Sequence, residues 1–207
     1  EKTSGSGTTV SNLKNPNQPF RNLTINGDMK ISQRTTSTSG VSTTGNFILG
    51  AFTISQSTDV PTGQGFSNSM KWDCTTADAS PAAGDNMTFQ QRFEGQNLQM
   101  LKKGTSSAEK TTLSFWVKSN KTGTYVVELR DKDNSNRHIN KTYTISSSDT
   151  WEKKTVTFDG DTTGTLTNDN SESLDLNFWL GAGSTFTSGS LQTSWGSSTS
   201  ANRAVGQ

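Results

Sequence analysis

Leu113-Ser114-Phe115-Trp116-Val117-Lys118-Ser119, followed after Gly123 by Thr124-Tyr125-Val126-Val127-Glu128-Leu129-Arg130, decides the fold class. Leu113, Phe115 and Val117 lie on one parity, with Ser114, Trp116 and Lys118 between them. Tyr125, Val127 and Leu129 repeat the pattern. A period of two belongs to a strand with one face buried, because successive side chains point to opposite sides of the backbone. The polar link Ser119-Asn120-Lys121-Thr122-Gly123 makes the two stripes read as an antiparallel hairpin.

The same period recurs along the chain. Leu23, Ile25, Met29 and Ile31 form a first stripe, and a Thr/Ser-rich loop leads to Phe47-Ile48-Leu49 and Phe52-Ile54. Phe66, Met70, Trp72 and Cys74 are expected to bury an even-numbered face, and Met87, Phe89, Gln91 and Phe93 give another stripe. Leu98 to Leu101 is long enough for one helical turn. Ile139, Tyr143 and Ile145 return from a hairpin loop at 131–136, residues 151–158 read as a strand, and Leu174, Leu176, Phe178 and Leu180 close the series. Short strands divided by Ser, Thr, Asn, Asp and Gly, with no heptads and no long helix, predict an all-β protein. The architecture expected is a jelly-roll β-sandwich of two antiparallel sheets.

Only 28% of the 207 residues are hydrophobic and the mean hydropathy is −0.70. With a net charge of +1, and with the apolar residues gathered into stripes, that composition fits a polar-surfaced sandwich rather than disorder. The balanced charge leaves no basic face for phosphates, so no nucleic-acid partner is expected. Cys74 is alone and cannot form an intrachain bridge. No stretch approaches the roughly 20 apolar residues of a membrane span, so no membrane insertion is expected. Residues 1–20 are poor in apolar side chains and read as a flexible N-terminal linker or attachment arm, leaving 21–207 for one domain. The start at Glu1 points to a processed or partial chain.

Several blocks in order carry a resemblance. Asn22-Leu23-Thr24-Ile25-Asn26-Gly27-Asp28-Met29 with Ser32-Gln33-Arg34 comes first, then Thr76-Ala77-Asp78-Ala79-Ser80-Pro81 leading to Gln90-Gln91-Arg92-Phe93-Glu94-Gly95. Leu113 to Ser119, Thr150-Trp151-Glu152-Lys153-Lys154 and Gly160-Asp161-Thr162-Thr163-Gly164 follow. Together they resemble a family of bacteriophage virion proteins, of tail and head fibres, whose jelly rolls are similar to carbohydrate-binding modules. Two departures stand out: Leu49-Gly50-Ala51-Phe52 replaces an Asp-Arg-aromatic block, and the chain stops at Gln207 where the family continues into a further apolar strand. The resemblance implies a non-enzymatic structural protein on the exterior of the virion. It implies other virion proteins as partners, a homotrimer, and a host surface glycan as ligand. It also implies a domain lacking its last strand, because 193–207 holds too few alternating apolar residues to supply one. A carbohydrate-binding module of a secreted bacterial protein and a glycan-degrading tail spike are the rivals.

If the Leu113 stripe faces the core, Trp116 faces away from it, and the same parity places Trp179 beside Asp175 and Asn177. Aromatic rings flanked by amides and carboxylates suit sugars, and Gln90, Arg92, Glu128 and Arg130 join that surface by the same argument. The competing reading, in which these Trp residues pack under loops or at an interface, is the commoner state for Trp. Asp131 and Asp133, in Asp131-Lys132-Asp133-Asn134-Ser135-Asn136, alternate as calcium ligands do. That loop lacks the distal Glu and central Gly, so an ordinary hairpin turn is the stronger reading, with structural calcium the weaker one. No other cofactor is expected. His138 is the only histidine, has no neighbouring nucleophile, and reads as a solvated strand residue.

Overall fold

The computed structural model describes residues 22–41 and 50–207. The linker at 1–20 and the Phe47-Ile48-Leu49 run lie outside the described residues. The described chain is nearly all strand: β1 (Ser37–Val41), β2 (Gly50–Ser57), β3 (Ser69–Ala77), β4 (Asn86–Glu94), β5 (Thr111–Val117), β6 (Gly123–Asp131), β7 (Arg137–Ile145), β8 (Glu152–Phe158) and β9 (Glu172–Ala182). Helix is confined to single turns at Gly95–Asn97, Gln99–Leu101, Ser184–Thr187 and Ser200–Asn202. The expected turn near Leu98 is therefore present. No described helix is long and apolar enough to cross a membrane.

All strand pairings are antiparallel, and the molecule is an all-β sandwich. A four-stranded sheet in the order β4-β9-β6-β7 faces the pair β5-β8, and β1-β2-β3 forms a further sheet. The core lies between the first two. Phe93, Val127, Leu129, Ile139, Tyr143, Ile145, Leu174 and Leu176 come from the four-stranded side, and Val156 and Phe158 meet them, with Leu113, Phe115 and Val117 packed against the cluster. Phe115 sits edge-on to Tyr143 and to Phe178, at 5.0 Å between centroids in both cases. The stripes at 113–117, 125–129 and 174–178 thus face inward, as their period requires.

Four local expectations are corrected. The stripes at 113–117 and 125–129 are not hairpin partners: Leu113 pairs with Val156 on β8, while Val127 pairs with Lys141 on β7 and Phe178 on β9. The link between them crosses from one sheet to the other, an outcome that alternation alone cannot tell from a hairpin. Residues 22–31 form turns rather than a strand. Asn26 takes a left-handed φ of 55°, and its side chain both accepts from the Ile31 N–H and donates to the Ile31 carbonyl, at 2.9 Å each. This local pairing replaces a sheet ladder. The Thr/Ser-rich loop contains β1. On β3, Met70 and Cys74 are exposed, and Trp72 is half-buried against Phe52.

From Gly183 the chain turns back across the outer face of the four-stranded sheet. Ala204 is buried there with Val126 and Trp179, and Phe186 and Leu191 pack around them. The strap also runs beside β7, whose Asn140 N–H donates to the Gln192 carbonyl at 2.8 Å. His138 and Gly196 exchange both backbone bonds, at 3.1 and 3.2 Å. This short pairing covers part of the β7 edge.

Candidate functional site

Strand register builds the most chemically dense part of the molecule. On the outer face of the four-stranded sheet, Arg92, Asp175, Arg130 and His138 lie opposite one another across β4, β9, β6 and β7. Gln90, Asn177, Glu128 and Asn140 form the next row, and Thr88, Trp179, Val126 and Thr142 the third. Two complete polar rows on one sheet face are unusual where that face is buried, since each group removed from water needs a partner.

Most of those partners are in place. Arg203 descends from the strap and pairs bidentately with Glu128, Nε to Oε1 at 2.8 Å and Nη2 to Oε2 at 2.7 Å, with its guanidinium 4.8 Å from the Trp179 ring centre. Asn177 Nδ2 donates to Glu128 Oε2 at 3.0 Å, and Gln90 Nε2 donates to Asn177 Oδ1 at 2.8 Å. Arg92 Nε donates to Gln90 Oε1 at 3.0 Å. A chain of hydrogen bonds thus runs from the strap to the open margin at β4. In the other row Arg130 donates through Nε and Nη2 to a single oxygen, Asp175 Oδ2, at 3.1 and 2.6 Å.

Some buried atoms of this face have no partner among the described residues: both nitrogens of His138, Asn140 Oδ1, Trp179 Nε1, Asp175 Oδ1 and Glu172 Oε1. Burial pulls the His138 imidazole below its ordinary pKa; Glu128 opposes this, and Arg203 and Arg130 add to it. Glu172 is pushed the other way. The adjoining Asp175 carboxyl is the main cause, burial adds to it, and Arg92 and Lys132 oppose it.

The sequence grouped Gln90, Arg92, Glu128, Arg130, Asp175, Asn177 and Trp179 on one face, and the structure brings all seven together. Their expected exposure is corrected. Glu128 and Asp175 are 0% exposed, Trp179 1% and Asn177 2%: Arg203 of the strap meets Glu128 and Trp179, and Arg130 meets Asp175. Only Gln90, Arg92 and Arg130 remain at an accessible margin. Trp116 does not share the surface: it stands opposite Lys153 on the outer face of the β5-β8 pair, on the far side of the sandwich. His138, expected in solvent, is fully buried beneath the strap.

The calcium reading of Asp131 and Asp133 is also corrected. Asp131 is fully buried and pairs with the Lys103 ammonium, which lies 3.1 Å from Asp161 and donates to the Thr163 and Gly164 carbonyls at 3.0 and 2.9 Å. Asp131 Oδ1 accepts from the Asp133 and Asn134 N–H groups, while Asp133 turns to the Thr167 N–H at 2.9 Å. A lysine already supplies the positive charge a metal would bring. Among the described residues no three His, Cys, Asp or Glu side chains gather as metal ligands. Sequence reasoning missed Lys103, Glu172 and Arg203. Lys103 and Arg203 meet their partners through contacts 28 and 75 residues apart, which no local pattern signals.

No protein-family model and no curated protein matches the chain. Among solved structures, the enzymatically active domain of tailspike protein 4 of bacteriophage CBA120 matches with a TM-score of 0.45 and 19% identity, over 78% of this chain and 19% of that one. That neighbour is described as enzymatically active, against the expectation that this chain is non-enzymatic, and the expectation is withdrawn. The activity is the neighbour's. The chain spans about a fifth of the neighbour's length.

Proposed function

We propose that the chain is a glycan-contacting module of a bacteriophage particle, part of a tail or head fibre, and that the contact is made at the Gln90, Arg92 and Arg130 margin of the four-stranded sheet. The observation that carries the glycan reading is the hydrogen-bonded chain Arg203–Glu128–Asn177–Gln90–Arg92, which holds polar groups in fixed orientations at an accessible edge. Sugars are bound through directed hydrogen bonds, and donors that are already ordered lose little entropy when a ligand arrives. The particle location rests on the ordered sequence blocks. A trimer in the particle is proposed on the same resemblance.

Calorimetric titration of the full chain with polysaccharide from the host surface tests the reading. Binding that weakens in Gln90→Ala and Arg92→Ala, with the melting temperature unchanged, supports it; wild-type protein that binds no surface polysaccharide refutes it. Measurement of new reducing ends in the same mixtures separates holding a glycan from cutting it. Native mass spectrometry tests the trimer, and a monomer at micromolar concentration counts against it.

A further inference from the structure

β3 is a border strand with nothing paired to its outer side among the described residues. The backbone groups of Met70 to Cys74 bond only to β2 there, and Met70, Lys71, Asp73 and Cys74 are exposed. A free row of N–H and C=O groups is a template for another strand unless a protein blunts it. The strap does this for part of β7. The far border of the same sheet, β1, reads Ser37-Thr38-Ser39-Gly40-Val41 and carries no charge to fix a register.

The side chains of β3 say which strand fits. Residues opposite one another across a ladder share a face, so the pairs Phe52–Cys74 and Ile54–Trp72 put Met70, Trp72 and Cys74 on an apolar face and Lys71 and Asp73 on a polar one. Trp72 stands edge-on to Phe52 at 6.5 Å, and Met70 is 40% exposed. Two copies of one strand related by a two-fold axis pair antiparallel about a single central residue. Hydrogen-bonded and non-hydrogen-bonded pairs alternate along such a ladder, and the axis must map each pair onto one of its own kind. Even residues therefore lie beside even ones, and each register is named by its centre. Centred on Lys71 it sets lysine against lysine, and centred on Asp73 it sets aspartate against aspartate. Centred on Met70 it leaves both charges opposite serines. Centred on Cys74 it runs across Thr75, the extra residue that breaks the β2–β3 ladder between Cys74 and Thr76. Centred on Trp72 it places Lys71 opposite Asp73 twice over, Met70 opposite Cys74 and Trp72 opposite Trp72, and it ends before the bulge.

We propose that β3 is a self-recognition edge: two copies of this chain join β3 to β3, antiparallel about Trp72, so that their three-stranded sheets become one. Within one chain Lys71 and Asp73 lie 3.2 Å apart with both side chains more than half exposed, so their charges are available to be shared across the contact. Opposite charges directly across a ladder favour it and like charges oppose it, so the strand both offers one register and rejects its neighbours. The inference is independent of the glycan reading. Where copies also trimerise through another surface, this contact links trimers in pairs.

Sedimentation velocity of the full chain from about 10 µM to about 1 mM covers the range of a small reversible interface. Wild type should pass from monomer to dimer, or from trimer to hexamer, and amide exchange at residues 70–74 should slow as it does. Lys71→Asp makes the edge wholly acidic and Asp73→Lys makes it wholly basic. Each sets like charges opposite one another and should weaken association roughly tenfold or more. Mixed one to one, the two variants are complementary at every charged position of the ladder and should recover the wild-type affinity by pairing with each other. Both sites are exposed, so neither substitution should move the melting temperature. A wild type that stays monomeric or purely trimeric at the highest concentration overturns the inference. So does association that the two substitutions leave unchanged, or folded variants that fail to pair on mixing.

Discussion

Replacing Arg203 by Met should destabilise the protein far more than its place near the chain end suggests. Glu128 is 0% exposed and receives two charge-assisted bonds from Arg203, one bond from Asn177, and no other side-chain donor among the described residues. Arg203→Met removes both charged bonds and the cation over Trp179 while leaving a carboxylate in the interior. Removal of one partner of a buried ion pair costs about 3–5 kcal/mol, most of it the desolvation of the charge left behind. For a chain of this size that lowers the melting temperature by on the order of 10 °C. Glu128→Gln in the same chain should restore most of it, because the amide still accepts from Asn177 and carries no charge, so the double variant should lie within about 1–2 kcal/mol of wild type. Urea denaturation of the wild type, both single variants and the double variant gives the coupling directly. A loss below about 1 kcal/mol in Arg203→Met, or a double variant no better than it, would refute the view that the strap is held by a buried charge pair.

Trp179→Ala should cost roughly 3–5 kcal/mol in thermal or denaturant unfolding, whereas Trp116→Ala on the opposite outer face should cost under about 1.5 kcal/mol; equal effects would mean that the two rings are similarly buried. Lys103→Met strands Asp131 and Asp161 together in the interior and should lose about 3–5 kcal/mol, with calcium failing to rescue the melting temperature. Rescue by calcium would restore the metal reading of the 131–136 loop. His138 binds its proton less readily when folded than when unfolded, so it favours the native state fully above about pH 6.5 and this contribution is lost as pH falls toward the depressed native value. His138→Leu should therefore flatten the stability profile between about pH 7 and about pH 5, and a parallel profile would show that the imidazole is not titrating with unfolding.

What the sequence makes legible is set by distance along the chain. Leu113-Phe115-Val117 and Leu174-Leu176-Phe178 announce their inward faces because the period of two is a property of neighbouring residues. The grouping of Gln90, Arg92, Glu128, Arg130, Asp175 and Asn177 is equally legible, since each is simply the other parity of a readable stripe. Whether that parity meets water is not. It depends on a strap at 183–207 whose apolar side chains Phe186, Leu191 and Ala204 follow no regular period and which docks as much through Arg203, Gln192 and backbone groups, so it announces no hydrophobic face of its own. Lys103 shows the same limit: an Asp-rich hairpin and a distant lysine look unrelated until the chain brings them together. Asn26 shows the converse, where a sound alternating stripe at 23–31 gives way to turns because one amide side chain satisfies the backbone locally.

The short ladder between the strap and β7 has a consequence for how copies of this chain can associate. Of the two lateral borders of the four-stranded sheet, that of β7 is paired with 192–196 at His138 and Asn140, while β4 has no strand beyond it among the described residues. A second copy approaching β7 edge to edge meets the strap at His138 and Asn140, whose backbone groups are already taken there. The strap thereby shields that part of the β7 edge from strand addition, with no charged or proline residue needed to blunt it there.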